Sequence, residues 1–185
     1  MEQKTFNLTR AAVMIALSSA LSFFKIIELA NGGSVTLGSM VPVILISFVL
    51  NAKWGIFSAF CYSLIQMLIG GIAAPPTQNF YYYFLVIMLD YVMAYTVLGL
   101  GKTFSAFIKN KTAKLITGTF VVVFLRFVCH FLSGILIWNV YAPEGQSAFL
   151  YSLIYNGSYM GIELIITVVI ITVISKITYF KNIIK

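Results

Sequence analysis

Long apolar runs, each broken by a short polar, glycine-rich or proline-rich segment, set the pattern of this chain from end to end. A hydrocarbon layer of about 30 Å takes roughly 20 predominantly apolar residues to cross as a helix, because no water is present to satisfy exposed backbone groups. By that measure the runs predict six spans, at residues 8–29, 37–50, 54–74, 80–100, 113–140 and 147–174. The second is short enough to be tilted or to start below the surface. The breaks at Ala30-Asn31-Gly32-Gly33-Ser34, Pro75-Pro76-Thr77-Gln78-Asn79 and Ala142-Pro143-Glu144-Gly145 are turn signals that cannot continue a helix. The first run lacks a small-residue cleavage site followed by a polar chain, so it is expected to remain as a span. With no long repeat or low-complexity tract, the expected architecture is an all-α integral membrane protein. It is a compact bundle of six transmembrane helices forming a single membrane domain over residues 1–185.

Composition sharpens this. Of 185 residues, 61% are hydrophobic and only 9% charged, against about 25% charged in soluble domains. The formal net charge of +7 comes from 12 Lys and Arg against 5 Asp and Glu, which could indicate nucleic acid until the charges are placed. Lys4, Arg10, Lys53, Lys102, the lysines between 109 and 114, and those from 176 onward all fall at the termini or in the even-numbered connectors. With six spans those segments share one side, so the positive-inside rule makes both termini cytoplasmic. The basic residues then serve orientation and contact with anionic lipid rather than nucleic acid. Cys61 and Cys129 both sit in apolar runs and are expected to be reduced packing residues.

Four ionisable residues remain well inside the spans: Asp90, Arg126, His130 and Glu163. Each costs insertion energy, so such groups face a bundle interior, a cavity or one another. Arg126, His130, Gly134 and Trp138 recur every four residues and form one stripe of the fifth helix. Ser152, Asn156, Tyr159 and Glu163 form a matching stripe on the sixth, with Tyr151 a turn nearer the exterior. Asp90 and Tyr91 come from the fourth helix, whose outer end carries Tyr81, Tyr82 and Tyr83. Asp90 with Arg126 is either a structural ion pair or part of a ligand pocket. His130 is either a packing residue or a ligand contact, and Trp138 and the tyrosine run could be interfacial anchors. Glu163 reads as a helix-packing hydrogen bond. A carboxylate, a cation, an amide and several aromatic faces suit a small, flat, polar heteroaromatic solute, especially a cationic one. On the first helix Ala12, Ala16 and Ala20 repeat every four residues, a spacing that serves either packing within the bundle or docking of a separate subunit.

These residues carry a resemblance that spans nearly the whole chain. Gly118-Thr119-Phe120, Arg126 to Phe131, Gly134 to Trp138, Tyr141-Ala142, Tyr151-Ser152-Leu153 and Asn156-Gly157 match in order and interval, as do Asn31 to Ser34, Gly38 to Pro42 and Leu89-Asp90-Tyr91. The chain resembles the thiamine-specific substrate-binding components (S-components) of energy-coupling factor transporters. The resemblance implies a thiamine pocket that opens outward under the loop after the first helix. It implies that His130 and Trp138 flank the thiazolium ring, that Tyr91 contacts the pyrimidine, and that Asp90, Tyr151 and Asn156 supply polar contacts. Arg126 matches the family's basic position near the acidic group, and Gly134 belongs to the same matched stretch. Asp90 stands where a longer Glu can occur, Arg126 where Lys can occur, and the covering loop lacks a tryptophan. Ala12 and Ala16 match the A-x-x-x-A surface that docks on the membrane coupling subunit.

The implied partners are thiamine or its phosphates, the lipid bilayer, and the coupling and ATPase subunits of a bacterial plasma-membrane module, with no cofactor and no nucleic acid. Gly101-Lys102-Thr103 resembles the end of a P-loop, but Thr96 stands where that pattern needs Gly, so energy must come from another chain. Three other readings compete: an S-component for a different heteroaromatic vitamin, a self-sufficient transporter, and an intramembrane enzyme using Asp90, His130 or Glu163.

Overall fold

The structure, a computed structural model, describes residues 2–29 and 32–183. Helix α1 (Glu2–Ser22) leads into a hairpin of β1 (Lys25–Glu28) and β2 (Ser34–Thr36). Then follow α2 (Met40–Val49), α3 (Ala52–Gly70), α4 (Phe80–Phe104), α5 (Lys111–Leu136), α6 (Ala148–Lys176) and a short α7 (Thr178–Ile183). The long helices α3 to α6 start on side-chain caps. Asn51, Asn79, Asn110 and Ser147 accept from the backbone N–H of Trp54, Tyr82, Ala113 and Leu150 at 3.1, 3.0, 3.0 and 3.2 Å. Such caps fix where each helix begins by satisfying an otherwise orphaned donor.

Helices α3 to α6 are long and apolar enough to cross a membrane. The first two expected spans take a different form. The helix over 8–29 ends at Ser22, and residues 25–28 form a strand. Here Ser19 and Ser22 donate to the carbonyls of Ile15 and Ser19 at 3.0 and 2.7 Å, and β-branched Ile26 and Ile27 follow, both of which weaken a helix. The strands pair antiparallel, Lys25 with Thr36, Ile27 with Val35 and Glu28 with Ser34, with an irregularity between Lys25 and Ile27. Gly32, at φ 93°, supplies the left-handed backbone of their turn.

The expected span over 37–50 contains only the ten-residue α2, about 15 Å long at 1.5 Å per residue, roughly half a hydrocarbon layer. The return through the bundle is therefore composite, strand β2 followed by α2. Val35, Thr36 and Ser39 are buried, and every residue of α2 is buried. Non-helical backbone at membrane depth is tolerated only when enclosed by protein. Being apolar on all faces, α2 forms the centre of the core with Tyr62, Leu98, Leu115, Val122 and Ile171 around it.

The third helix stops at Gly70, before the expected Ala74, because Gly71 turns at φ 73° into an extended connector. The fifth stops at Leu136, before the expected Val140, and a 3-10 turn covers Asn139–Tyr141. Helix α4 is continuous but irregular, with a π-helical stretch at Ile87–Met93 and a 3-10 stretch at Val97–Leu100. In the latter, Gly99 lies against Gly55 of α3 so closely that a β-carbon on Gly99 would overlap the Gly55 carbonyl. Small residues permit this contact of helix backbones.

Candidate functional site

A cavity of about 400 Å³ lies between the hairpin, the end of α3, and helices α4, α5 and α6. Asp90, Tyr91, Arg126, His130, Gly134, Trp138, Tyr151 and Asn156, the eight residues singled out from sequence as ligand-binding, all lie on its wall. Ala12 and Ala16 lie elsewhere, exposed on α1.

Asp90 sits in the π-helical stretch of α4, a rare geometry that recurs at functional sites. Its Oδ1 lies 3.1 Å from His130 Nδ1, and its Oδ2 accepts from Ser133 Oγ at 2.7 Å and from Trp138 Nε1 at 3.0 Å. Trp138 lies beyond the last turn of α5, yet its indole folds back to this carboxylate and also donates to Ser133 Oγ at 3.0 Å.

Of the two readings of Asp90 with Arg126, the cavity holds both residues and the direct ion pair between them does not form. Among the described residues, Asp90 meets His130 through a hydrogen bond instead, and Arg126 has no carboxylate within 4.0 Å. Levels in the bundle explain this. Helices α4 and α5 run in opposite directions, so Asp90 matches the outer stretch from His130 to Trp138, while Arg126 is one turn deeper and matches Tyr95. The Arg126 guanidinium lies 4.1 Å from the centre of the Tyr95 ring, a cation–π contact. Its Nε donates to His130 Nε2 at 3.4 Å.

This chain of contacts sets the histidine tautomer. A guanidinium can only donate, so His130 Nε2 must be the bare acceptor and Nδ1 carries the proton toward Asp90. The imidazole is then neutral, held between an anion and a cation, with its ring centre 6.2 Å from that of Tyr159 in an edge-to-face arrangement.

Asn156 is committed to the protein. Its Nδ2 donates to the His130 carbonyl at 3.2 Å and to Ser152 Oγ at 3.0 Å, and its Oδ1 accepts from Tyr159 at 2.9 Å. Its amide therefore fixes the α5–α6 interface and leaves one lone pair of Oδ1 for a ligand. Gly134 permits this closeness, since a β-carbon there would overlap Ser152 Oγ and come within 2.8 Å of Asn156 Nδ2. The Tyr91 hydroxyl donates to the Gly71 carbonyl at 2.9 Å and accepts from Ala73 N–H at 3.0 Å, so it pins the α3–α4 connector beside the cavity. Tyr151 stacks on Tyr155 at 5.8 Å between ring centres.

The covering loop expected at residues 30–34 falls after β1 and reaches the first residue of β2. Ala30 and Asn31 lie outside the described residues, while Gly32, Gly33 and Ser34 line the cavity. Lys25 and Glu28 also face it and pair with each other at 2.6 Å.

Several residues of the site were not singled out from sequence: Ser133, fully buried behind the wall, and the wall residues Tyr95, Tyr155 and Gln66. Ser133 carried the signal of a hydroxyl three residues after His130 in an apolar run. Tyr95 did not, because its level with Arg126 depends on helix packing, and Tyr155 and Gln66 read as ordinary polar positions in amphipathic helices.

The sequence pattern of the family described as "Thiamine transporter protein" matches residues 8–182. The thiamine transporter ThiT of Bacillus subtilis strain 168 is 31% identical over 174 residues, covering 89% of this chain and 84% of that protein. That of Lacticaseibacillus paracasei is 23% identical over 172 residues, covering 88% and 83%. A solved structure of ThiT from Listeria monocytogenes superposes with a TM-score of 0.76 at 20% identity, over 99% of this chain and 100% of that one. The all-helical membrane fold is shared.

Proposed function

The chain belongs to the thiamine transporter protein family, and from that premise we propose that it captures thiamine from outside a bacterial cell with high affinity. It passes the vitamin to a separate ATP-driven coupling module. The observation that carries this is the Asp90–His130–Arg126 chain set into a cavity walled by aromatic rings. A cavity of this size is within the range of small-molecule sites, roughly 300–1,000 Å³.

Thiamine joins a cationic thiazolium to an aminopyrimidine, and the wall offers a place for each. The thiazolium belongs beside Asp90, between the faces of His130 and Trp138. Because His130 is neutral, a cation can stack on it without charge repulsion, and the Asp90 carboxylate supplies the opposite charge. Asp90 is itself held by three donors, so it is oriented before the ligand arrives and little is lost to ordering it. The aminopyrimidine belongs against Tyr91, Tyr151 and the free lone pair of Asn156. Arg126 fixes the histidine tautomer from beneath.

The protein transports and does not transform its ligand, in keeping with a family and relatives that are transporters. For the partner, α1 offers an apolar face. Ala12 and Ala16 are exposed on it, flanked by Val13 and Leu17 at 62% and 50% exposure. Small residues allow close approach of another helix, which suits docking on a membrane coupling subunit.

The test is calorimetric titration of the purified, folded protein with thiamine. Saturable one-to-one binding with a submicromolar dissociation constant is the expected result. No heat of binding, with the fold verified by circular dichroism, would overturn the assignment.

A further inference from the structure

Glu163 is a buried intramembrane carboxylate that the thiamine contacts proposed above leave unused. Its side chain is only 4% exposed, and burying such a group is costly unless something is gained by it. Its hydrogen bonds among the described residues all go to one place. Oε1 accepts from the backbone N–H of Thr36 at 2.5 Å and from the Thr36 hydroxyl at 2.8 Å, while Oε2 has no hydrogen-bond partner. The Thr36 hydroxyl also meets Ser39 Oγ at 2.8 Å, and Ser39 is the residue from which α2 starts. One carboxylate oxygen thus ties α6 to the end of strand β2 and, through Thr36, to the head of α2.

The same strand is fitted to α6 above that point. Tyr151, Tyr155, Tyr159 and Glu163 recur every four residues and form one ladder on α6. Gly33 N–H donates to the Tyr155 hydroxyl at 3.1 Å, and a β-carbon on Gly33 would come within 2.8 Å of the Tyr159 ring. The strand therefore runs down the ladder, Gly33 at the tyrosines and Thr36 at Glu163. A two-stranded hairpin is marginal by itself, and β1 is exposed along its length, so the hairpin depends on this seam for its place. Gly33 and Ser34 at one end of the seam and Tyr155 and Tyr159 on the other side of it all line the cavity.

We propose that Glu163 is a positioning residue for ligand capture, a fixed foot that holds the root of the hairpin to α6 so that its outer part forms a wall of the cavity. With its root anchored at Thr36, the strand Ser34–Thr36 keeps its register against the Tyr155–Glu163 ladder of α6. The functional part of this inference rests on the thiamine-capture reading, whereas the anchoring of the hairpin does not.

The test uses the full chain in lipid nanodiscs and reads two quantities: amide hydrogen exchange at Val35 and Thr36 without ligand, and the rate of thiamine release. Glu163→Leu removes both bonds and is expected to speed both, each by roughly tenfold, the scale of losing one or two hydrogen bonds. Exchange in α5 should be unchanged. Glu163→Gln keeps an oxygen in place to accept from Thr36, and should return both quantities to within about twofold of the original. Thr36→Val keeps the shape and the backbone bond but removes the hydroxyl, and should give a smaller acceleration of the same two quantities. It also serves as the deciding variant if Glu163→Leu fails to fold.

Unchanged exchange at Val35 and Thr36 in every folded variant lacking these bonds would overturn the anchoring role. Faster exchange with unchanged thiamine release would overturn its part in capture. Faster exchange in a protein that binds no thiamine in its original form would uphold the anchor and refute the ligand assignment instead.

Discussion

Asp90 receives the Nδ1 proton of His130, the hydroxyl of Ser133 and the indole N–H of Trp138, and the account makes it the counter-charge of a cationic ring. Asp90→Asn keeps the size but removes the charge and turns one acceptor into a donor. It should weaken thiamine binding by about 2–3 kcal/mol, roughly 30- to 150-fold, as measured by calorimetry with the fold checked by thermal unfolding. A change below threefold would mean that the carboxylate is not the counter-charge. At this scale sequence reading went far, because a charged group in an apolar run must be explained by a cavity or a partner, and Asp90, Arg126 and His130 all proved to line the cavity. It left open whether Asp90 and Arg126 pair directly, and they do not. Which side chains share a level across α4 and α5 depends on where each helix starts and on the π-helical register, and neither is written in local composition.

Tyr91 shows how elements are tied together around the site. Its hydroxyl holds both the Gly71 carbonyl and the Ala73 N–H, so it sets the path of the connector between α3 and α4. Tyr91→Phe should release residues 71–73, and amide exchange at Ala73 should accelerate roughly fivefold, the scale of about 1 kcal/mol for a neutral hydrogen bond. Equal exchange in the two proteins would show that the connector is held by other contacts. The cores of the four long helices were legible, since runs of 19 to 29 residues bounded by Asn or Ser caps leave little choice. The hairpin was not. Lys25 to Glu28 follows an apolar helix without a break in hydropathy, and only pairing with a buried partner strand makes it a strand rather than a last turn. The shortness of α2 was visible as a short run, but its completion by β2 was not.

For the molecule as a whole, the charge distribution and the path of the chain lead to definite orientations. With both termini cytoplasmic, Glu144 lies in an outer loop and Lys109 in an inner one. In intact cells a membrane-impermeant maleimide should label Glu144→Cys and spare Lys109→Cys, and the reverse pattern would invert the molecule. If the exposed alanines of α1 dock on a partner as proposed, Ala16→Phe should lower thiamine uptake in cells at least tenfold while changing the dissociation constant of the purified protein less than about twofold. Uptake at the original level would remove the docking role. Both expectations rest on features visible in the sequence, since charge asymmetry and a small-residue repeat need no knowledge of packing. The resemblance placed the loop after the first helix over the cavity, where Gly32 to Ser34 do lie, but the strands that carry this loop were not readable.

The most direct test of the central claim is the tryptophan fluorescence of the purified protein during titration with thiamine. Trp138 donates to Asp90 inside the cavity, whereas Trp54 lies at the start of α3, away from the cavity. The account predicts saturable quenching that reaches its plateau at one equivalent and disappears in Trp138→Phe, although that variant still binds thiamine by calorimetry. Quenching that persists in Trp138→Phe, or calorimetric binding to the original protein without any quenching, would place the ligand somewhere other than this cavity.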